Sequence, residues 1–228
     1  MLAFISDIHG NYPALSAVFD DLDNYNVKQI ISLGDVCGYY AEPNQCIEAL
    51  ISKKVINILG NHDNYIITNT KCSRSNSANA CLDYQRKILK PENIGWLKQS
   101  LLKYDTETIS CVHGGWSNFL DEYLAEINEN YFMEYPQRFF FSGHTHIQKI
   151  LFLQNKLYCN PGSVGQPRDG NPNAAYALFD GESIYLKRVK YDIDQTAKQM
   201  EIAGFSNYFY RNLYFGLRIG DNNIKTAC

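Results

Sequence analysis

Short apolar runs that end at a glycine or a polar side chain recur along the chain as far as residue 146. Residues 2–6 precede Asp7, residues 30–33 precede Gly34-Asp35, and residues 55–59 precede Gly60-Asn61-His62. Residues 108–112 then precede His113-Gly114, and residues 138–142 precede Gly143-His144-Thr145-His146. Such runs, rich in β-branched residues, Leu and Phe, predict buried strands. Ligands in α/β sheets gather beyond the carboxyl ends of strands, so the five run ends are expected to converge on one place.

Amphipathic stretches lie between the runs. Asn11-Tyr12-Pro13 opens one over residues 14–22 and Pro43 opens another over residues 46–51, because proline suits the first helical turn. Residues 76–89, 91–102 and 117–128 are predicted to form further helices, and the alternation of strand and helix points to a layered α/β fold. Beyond residue 146 the pattern changes. Residues 147–153, 157–159, 174–179 and 183–189 read as adjacent strands joined by turns at Asn155-Lys156 and Asp180-Gly181, which predicts a second, more antiparallel sheet. From Asp192 the chain reads as helix ending near Gly204, with the aromatic segment 205–215 packed on the body.

A chain of 228 residues, 45 % of them hydrophobic, is long enough to bury a full core. One domain over residues 1–228 is expected, since a boundary between residues 7 and 146 would split the convergent positions and no linker-like or repetitive tract suggests one. The formal net charge of −3 and a pI near 5.9 exclude a general attraction for nucleic acid or an anionic membrane. Seven scattered cysteines without a C-x-x-C pair predict reduced thiols and a cytoplasmic location. The opening Met1-Leu2-Ala3-Phe4 lacks the basic flank of a signal peptide, and no apolar run approaches the roughly 20 residues that span a bilayer.

All five histidines, His9, His62, His113, His144 and His146, fall at the run ends, in company with Asp7, Asp35 and Asn61. Imidazole is the commonest metal ligand among side chains, so this grouping predicts a metal centre. Asp7 and His9 are two apart, which puts both side chains on one face if strand geometry persists. His144 and His146 share that spacing, but a turn at Gly143 can aim them at different ions. Asp35 can bridge two ions through its two carboxylate oxygens, and Asn61 supplies a neutral oxygen. With only Asp7 and Asp35 as anions, two divalent ions leave a net positive centre that attracts phosphate and acidifies bound water. Such a pair suits attack of activated hydroxide on a phosphoryl group. His62, not needed to complete the ligand set, is a candidate general acid; the alternative is a residue that only orients Asn61 or phosphate. A thiolate-free shell suits manganese, iron, nickel, cobalt or zinc without choosing among them.

Asp7-x-His9, Gly34-Asp35, Gly60-Asn61-His62-Asp63, His113 and Gly143-His144-x-His146, in this order, resemble the calcineurin-like metallophosphoesterase superfamily. Asp7-Ile8-His9-Gly10-Asn11 and the stretch from Asn160-Pro161-Gly162-Ser163 to Gly170 are similar to its prokaryotic single-domain, phosphodiesterase-like branch. The resemblance implies two packed mixed β-sheets flanked by α-helices. It also implies Asp7, His9, Asp35 and His146 around one metal, Asp35, Asn61, His113 and His144 around the other, and His62 as acid. Protein phosphatases of the superfamily carry Gly-Asp-x-x-Asp-Arg-Gly, whereas this chain has Gly34-Asp35-Val36-Cys37-Gly38-Tyr39-Tyr40. It therefore lacks the Asp that orients the catalytic histidine and the Arg that clamps phosphate, which argues against a phosphoprotein substrate.

The loop 160–170 can cradle an anion through backbone amides and Arg168, or simply turn between sheets. Tyr39 and Tyr40 can stack a nucleobase or pack in the core. The expected activity is hydrolysis of a small phosphodiester or phosphomonoester. The alternatives are a diadenosine polyphosphate or nucleotide hydrolase, and a non-catalytic scaffold of the same fold, which the complete ligand set disfavours. The expected partner is a small phosphoester or nucleotide, with oligomer formation left open.

Overall fold

A computed structural model describes residues 1–221. Strand β1 (Leu2–Ile5) leads to helix α1 (Tyr12–Leu22), β2 (Gln29–Ser32), α2 (Pro43–Ser52), β3 (Ile56–Asn57) and α3 (Asn61–Thr68). Helices α4 (Asn76–Ile88) and α5 (Pro91–Leu97) follow, then β4 (Tyr104–Asp105), β5 (Ile109–Cys111), β6 (Phe139–Phe141), β7 (Lys149–Leu153) and β8 (Lys156–Asn160). Strands β9 (Ala174–Phe179) and β10 (Ile184–Val189) precede α6 (Ile193–Ile202). The strands form two mixed sheets, β10-β9-β1-β2-β3 and β4-β5-β6-β8-β7.

Period-two alternation sorts each strand's side chains between layers. In β1, Ala3 and Ile5 join the core under the helices while Phe4 points between the sheets; in β6, Phe139 and Phe141 point between the sheets and Phe140 points outward. The inter-sheet layer is sealed by Phe4 stacked on Phe141 at 3.7 Å between ring centroids. Because β1, β2 and β3 run parallel in one sheet, and β5 and β6 run parallel in the other, their carboxyl ends open on one edge of the sandwich.

Several local expectations are corrected. Residues 117–128 are not a helix. Asn118 Oδ1 accepts from the amides of Leu120 and Asp121, and Glu122 Oε2 accepts from those of Ser117 and Asn118, so side chains satisfy the backbone in a turn geometry that competes with helix. The outer face of the second sheet is thus covered by loop, with Trp116, Leu124 and Phe132 against Phe140 and Tyr158. Helix α5 stops at Leu97 because Leu101 is pulled into a parallel bridge beside Ile58. The late strands do not form one antiparallel sheet: β7 and β8 pair in the second sheet, while β9 and β10 extend the first through antiparallel pairing with β1. The β7–β8 turn sits one residue earlier than expected, at Gln154-Asn155, with Gln154 left-handed.

Helix α6 ends where expected, just before Gly204, and Phe205, Phe209, Tyr210 and Leu213 pack on the helical side of the first sheet. The six cysteines among the described residues are buried free thiols; Cys228 lies outside them. No helix of the described residues is long and apolar enough to cross a membrane.

Candidate active site

Asp7, His9, Asp35, His144 and His146 have φ of 53, 55, 56, 66 and 61°. Left-handed backbone costs a non-glycine residue on the order of 1 kcal/mol, and among the other described non-glycine residues only Lys54, Asn69 and Gln154 adopt it. Strand geometry therefore does not persist from Asp7 to His9. Two strained turns, not the pleat, bring them together, and such strain gathers at functional sites because the surrounding structure enforces it.

The strained turns assemble two buried triads, Asp7 with His9 and His146, and Asp35 with His113 and His144, each with ligand atoms within 4.8 Å of one another. Three imidazoles are oriented from behind. Nδ1 of His9 donates to the Cys37 carbonyl at 2.8 Å, that of His113 to the Leu33 carbonyl at 2.8 Å, and that of His146 to the Gln166 carbonyl at 2.7 Å. A carbonyl only accepts, so each ring carries its proton on Nδ1 and aims Nε2 into the site. Burial pushes the pKa of both His9 and His146 well below the usual histidine value, leaving both rings neutral. Their Nε2 atoms nevertheless face each other at 3.1 Å, lone pair to lone pair, with Asp7 Oδ1 at 3.4 Å from His146 Nε2. That arrangement is repulsive unless a cation, or a proton on Asp7 in its place, sits among the three atoms. In the second triad Nε2 of His144 is buried without a hydrogen-bond partner, and Asn61 Oδ1 lies 3.0 Å from His113 Nε2. Both donor sets fit divalent cations.

Asp35 stands between the triads, but only one of its oxygens does so. Oδ1 accepts from the amide of His62 at 2.8 Å, at the start of α3, while Oδ2 lies 3.7 Å from His9 Nε2 and 3.4 Å from His113 Nε2. Oδ2 is thus the oxygen that lies near both triads, while Oδ1 holds α3 in place. Gly60 permits this approach, since a Cβ there would fall 2.1 Å from Asp35 Oδ1. Asp7 is anchored likewise, with Oδ2 accepting from Ser6 Oγ at 2.8 Å and the His144 amide at 3.0 Å.

Burial opposes the charge on Asp35, yet the neighbouring His113, His62 and His9 outweigh it and hold the carboxyl well below the usual carboxylate range. Burial pushes Asp7 up to about 7. For His113 burial works against protonation, but Asp35 and Asp7 raise it to about 9. Both groups hold protons that an incoming cation must displace, so proton binding and cation binding compete. Cation affinity is expected to fall about tenfold per pH unit below 9 and more steeply below 7, measured by calorimetry with manganese; a flat profile between pH 9 and 6 would contradict this protonation pattern.

A cleft of about 580 Å³ opens over the triads, lined by Asp35, Asn61, His62, His144, His146 and Arg168 among others. His62 is buried, with Nδ1 unpartnered, and burial pushes its pKa down to about 4, Arg168 adding to the shift. Gly38 stands where protein phosphatases carry their second Asp. A Cβ on it would lie 2.2 Å from His9 Nδ1 and 2.9 Å from His62 Nδ1, and its φ of 142° disfavours any side chain. The rings of His9 and His62 fill the space into which the side chain of an orienting aspartate would have to grow. Tyr39 lines the cleft, with its ring centroid 5.1 Å from that of His62 and Arg168 over it at 5.6 Å, whereas Tyr40 is core.

The loop 160–170 does not cradle an anion with its amides. Those of Val164 and Gly165 donate to the carbonyls of Ser6 and Asp7, and that of Arg168 to the carbonyl of His146, so this backbone buttresses the site. Only the Arg168 side chain, held by Gln166 Oε1, reaches the cleft. Sequence reasoning missed these supporting roles of Ser6, Cys37 and Gln166. It also missed the breadth of Asp63, which accepts from the amides of Val36, Cys37 and Gly60 and so ties two loops together. Backbone carbonyls carry no sequence signal, but the acidic residue at the third position of α3 does. Arg74, Tyr123 and Arg218 also line the cleft, as does Tyr208, which was expected to pack on the body with the rest of residues 205–215.

Residues 1–183 match the calcineurin-like phosphoesterase superfamily domain. The chain is 33 % identical over 240 residues to the uncharacterized protein MJ0912 of Methanocaldococcus jannaschii, covering 95 % of this chain and 98 % of that one. It is 29 % identical over 194 residues to the phosphodiesterase YfcE of Escherichia coli K12, covering 80 % of this chain and 89 % of that one. The crystal structure of a metallophosphoesterase from Sphaerobacter thermophilus superposes with a TM-score of 0.81 at 29 % identity, covering 95 % of this chain and 99 % of that one. Two mixed sheets, histidines gathered at their common edge and these likenesses lead to one assignment: the chain belongs to the calcineurin-like phosphoesterase superfamily.

Proposed function

We propose that the chain is a binuclear metal-dependent phosphoesterase acting on small phosphodiesters or phosphomonoesters. The observation that carries this reading is the pair of neutral Nε2 atoms of His9 and His146, 3.1 Å apart beside Asp7, next to a second triad that shares Asp35. Asp7, His9, Asp35 and His146 would hold one ion, and Asp35, Asn61, His113 and His144 the other. Such a pair of divalent ions, manganese being the first to try, supplies Lewis acidity for generating the nucleophile and neutralising charge in the transition state.

The chain's own residues do the rest. Arg168 is placed to bind a phosphoryl oxygen, and its contact with Gln166 fixes the guanidinium. His62 has a pKa near 4 and is neutral by itself; the negative charge of a bound phosphoester beside it would raise that value, so that the ring takes a proton from solvent and passes it to the departing alkoxide. The phosphodiesterase named among the relatives inclines the reading toward diesters. We read residues 1–228 as one domain, because both sheets contribute to the site, and place the protein in the cytoplasm on account of its free thiols.

The test is hydrolysis of bis-p-nitrophenyl phosphate and p-nitrophenyl phosphate by metal-stripped protein before and after reloading with manganese, nickel or zinc. Turnover that returns only with metal supports the reading. Protein that binds two ions yet hydrolyses neither ester would favour a non-catalytic scaffold.

A further inference from the structure

The cleft is much larger than one phosphoryl group requires and matches the size range of pockets that enclose nucleotide-sized ligands. Its charge is lopsided: among the described residues Asp35 is the only carboxylate on its walls, against the guanidinium groups of Arg168, Arg218 and Arg74, the last paired with Asp121 just outside. These three are not equivalent. Arg168 lies over Tyr39, whose ring neighbours His62, so it belongs to the reacting end. Arg74 pairs with Asp121, whose Oδ1 is 3.9 Å from His144 Nε2, and so sits beside the second triad. Arg218 comes from the segment after α6, which supplies a further wall of the cleft together with Tyr208 and Ile219.

That wall lies outside the superfamily domain, whose match ends at residue 183. The same cleft is lined by Ser75, Asn76 and Ser77, the N-cap and first residues of the 13-residue helix α4, whose first turn carries no acidic residue and presents the positive end of its dipole. Tyr123 and Tyr208, 43 % and 42 % exposed, offer ring faces at the same mouth. Two arginines, one of them paired with Asp121, a helix start and two accessible phenol rings thus stand around one cleft.

We propose that Arg74, Arg218 and Tyr208 form a subsite for a second, non-scissile phosphate, so that this chain prefers substrates of the nucleoside polyphosphate class to esters with a single phosphate. The inference rests on the phosphoesterase reading for the chemistry at the reacting end. It assigns the selectivity to a wall that the superfamily domain does not supply.

The test is calorimetric binding of the non-hydrolysable α,β-methylene analogue of ADP, with AMP as the single-phosphate control, to the manganese-loaded full chain. The wild type should bind the diphosphate at least about tenfold tighter than AMP, as a charge-assisted contact to one further phosphate implies. Arg218→Ala should bring that ratio below about threefold, and Arg218→Lys should restore part of it. Equal affinity for the two ligands in the wild type, or a ratio untouched by Arg218→Ala, would overturn the proposal. The two readings fail separately. Protein that hydrolyses aryl diesters but shows no affinity gap keeps its function and loses the subsite; an Arg218-dependent gap in protein that hydrolyses nothing keeps the subsite and loses the enzyme.

Discussion

Replacing Asp35 by asparagine is expected to reduce tight metal binding from two ions to at most one and to lower kcat/KM by about 10³-fold or more. Asp35 Oδ2 is the one carboxylate oxygen near both triads, 3.7 Å from His9 Nε2 and 3.4 Å from His113 Nε2. The amide keeps an acceptor for the His62 N–H, so α3 stays in place and the fold survives. What is lost is the anion. Without it His113 loses the partner that raises it to about 9, Asp7 is the remaining carboxylate among the ligand candidates, and nothing shared compensates the mutual repulsion of two dications. Metal content measured by mass spectrometry, alongside turnover and a thermal melt, checks the prediction. Two ions retained at wild-type affinity would contradict the shared role of Asp35.

His62→Ala is expected to leave metal content intact while turnover falls 10²- to 10⁴-fold on esters with poor leaving groups. The imidazole lines the cleft, but neither triad includes it, and α3 is held through the His62 backbone amide, which alanine retains. An alkoxide needs a proton as it departs; a nitrophenolate does not. The loss should therefore be far smaller on p-nitrophenyl esters than on alkyl esters of similar size. Equal losses on both would mean that His62 positions phosphate or Asn61 and does not donate a proton. Its unpartnered Nδ1 and its low pKa make this comparison sharp, since no carboxylate behind the ring maintains the charged form.

Much of this arrangement is legible in the sequence because buried strands write themselves as apolar runs. The runs before Asp7, Asp35, Asn61, His113 and His144 became the parallel strands β1, β2, β3, β5 and β6, whose shared polarity dictates a common edge. Where the expectation failed, a local side chain or a distant partner decided. Residues 117–128 have helical periodicity, but Asn118 and Glu122 capture the amides that a helix would use. Leu101 is claimed by the strand direction beside Ile58. The sheet to which β9 and β10 belong depends on pairing with β1, more than 170 residues away in sequence, as at Ala3 and Leu178. No local pattern encodes that.

The candidate site was readable in its residue types and less so in its geometry. Spacing suggested that Asp7 and His9 share a strand face, whereas left-handed turns at both bring them together. Asp35 Oδ2 lies near both triads, while the His62 amide takes Oδ1. The aromatic composition of residues 205–215 resembles docked core, and Phe209, Tyr210 and Leu213 do pack there, whereas Tyr208 and, beyond it, Arg218 line the cleft instead.

The most direct test of the binuclear account is an anomalous difference map from crystals of the protein loaded with manganese, recorded at the manganese absorption edge. The account predicts two peaks about 3.5 to 4 Å apart on either side of Asp35 Oδ2, one against His9 and His146 and the other against His113 and His144. A single peak, or peaks that leave the Nε2 atoms of His9 and His146 facing each other, would contradict it.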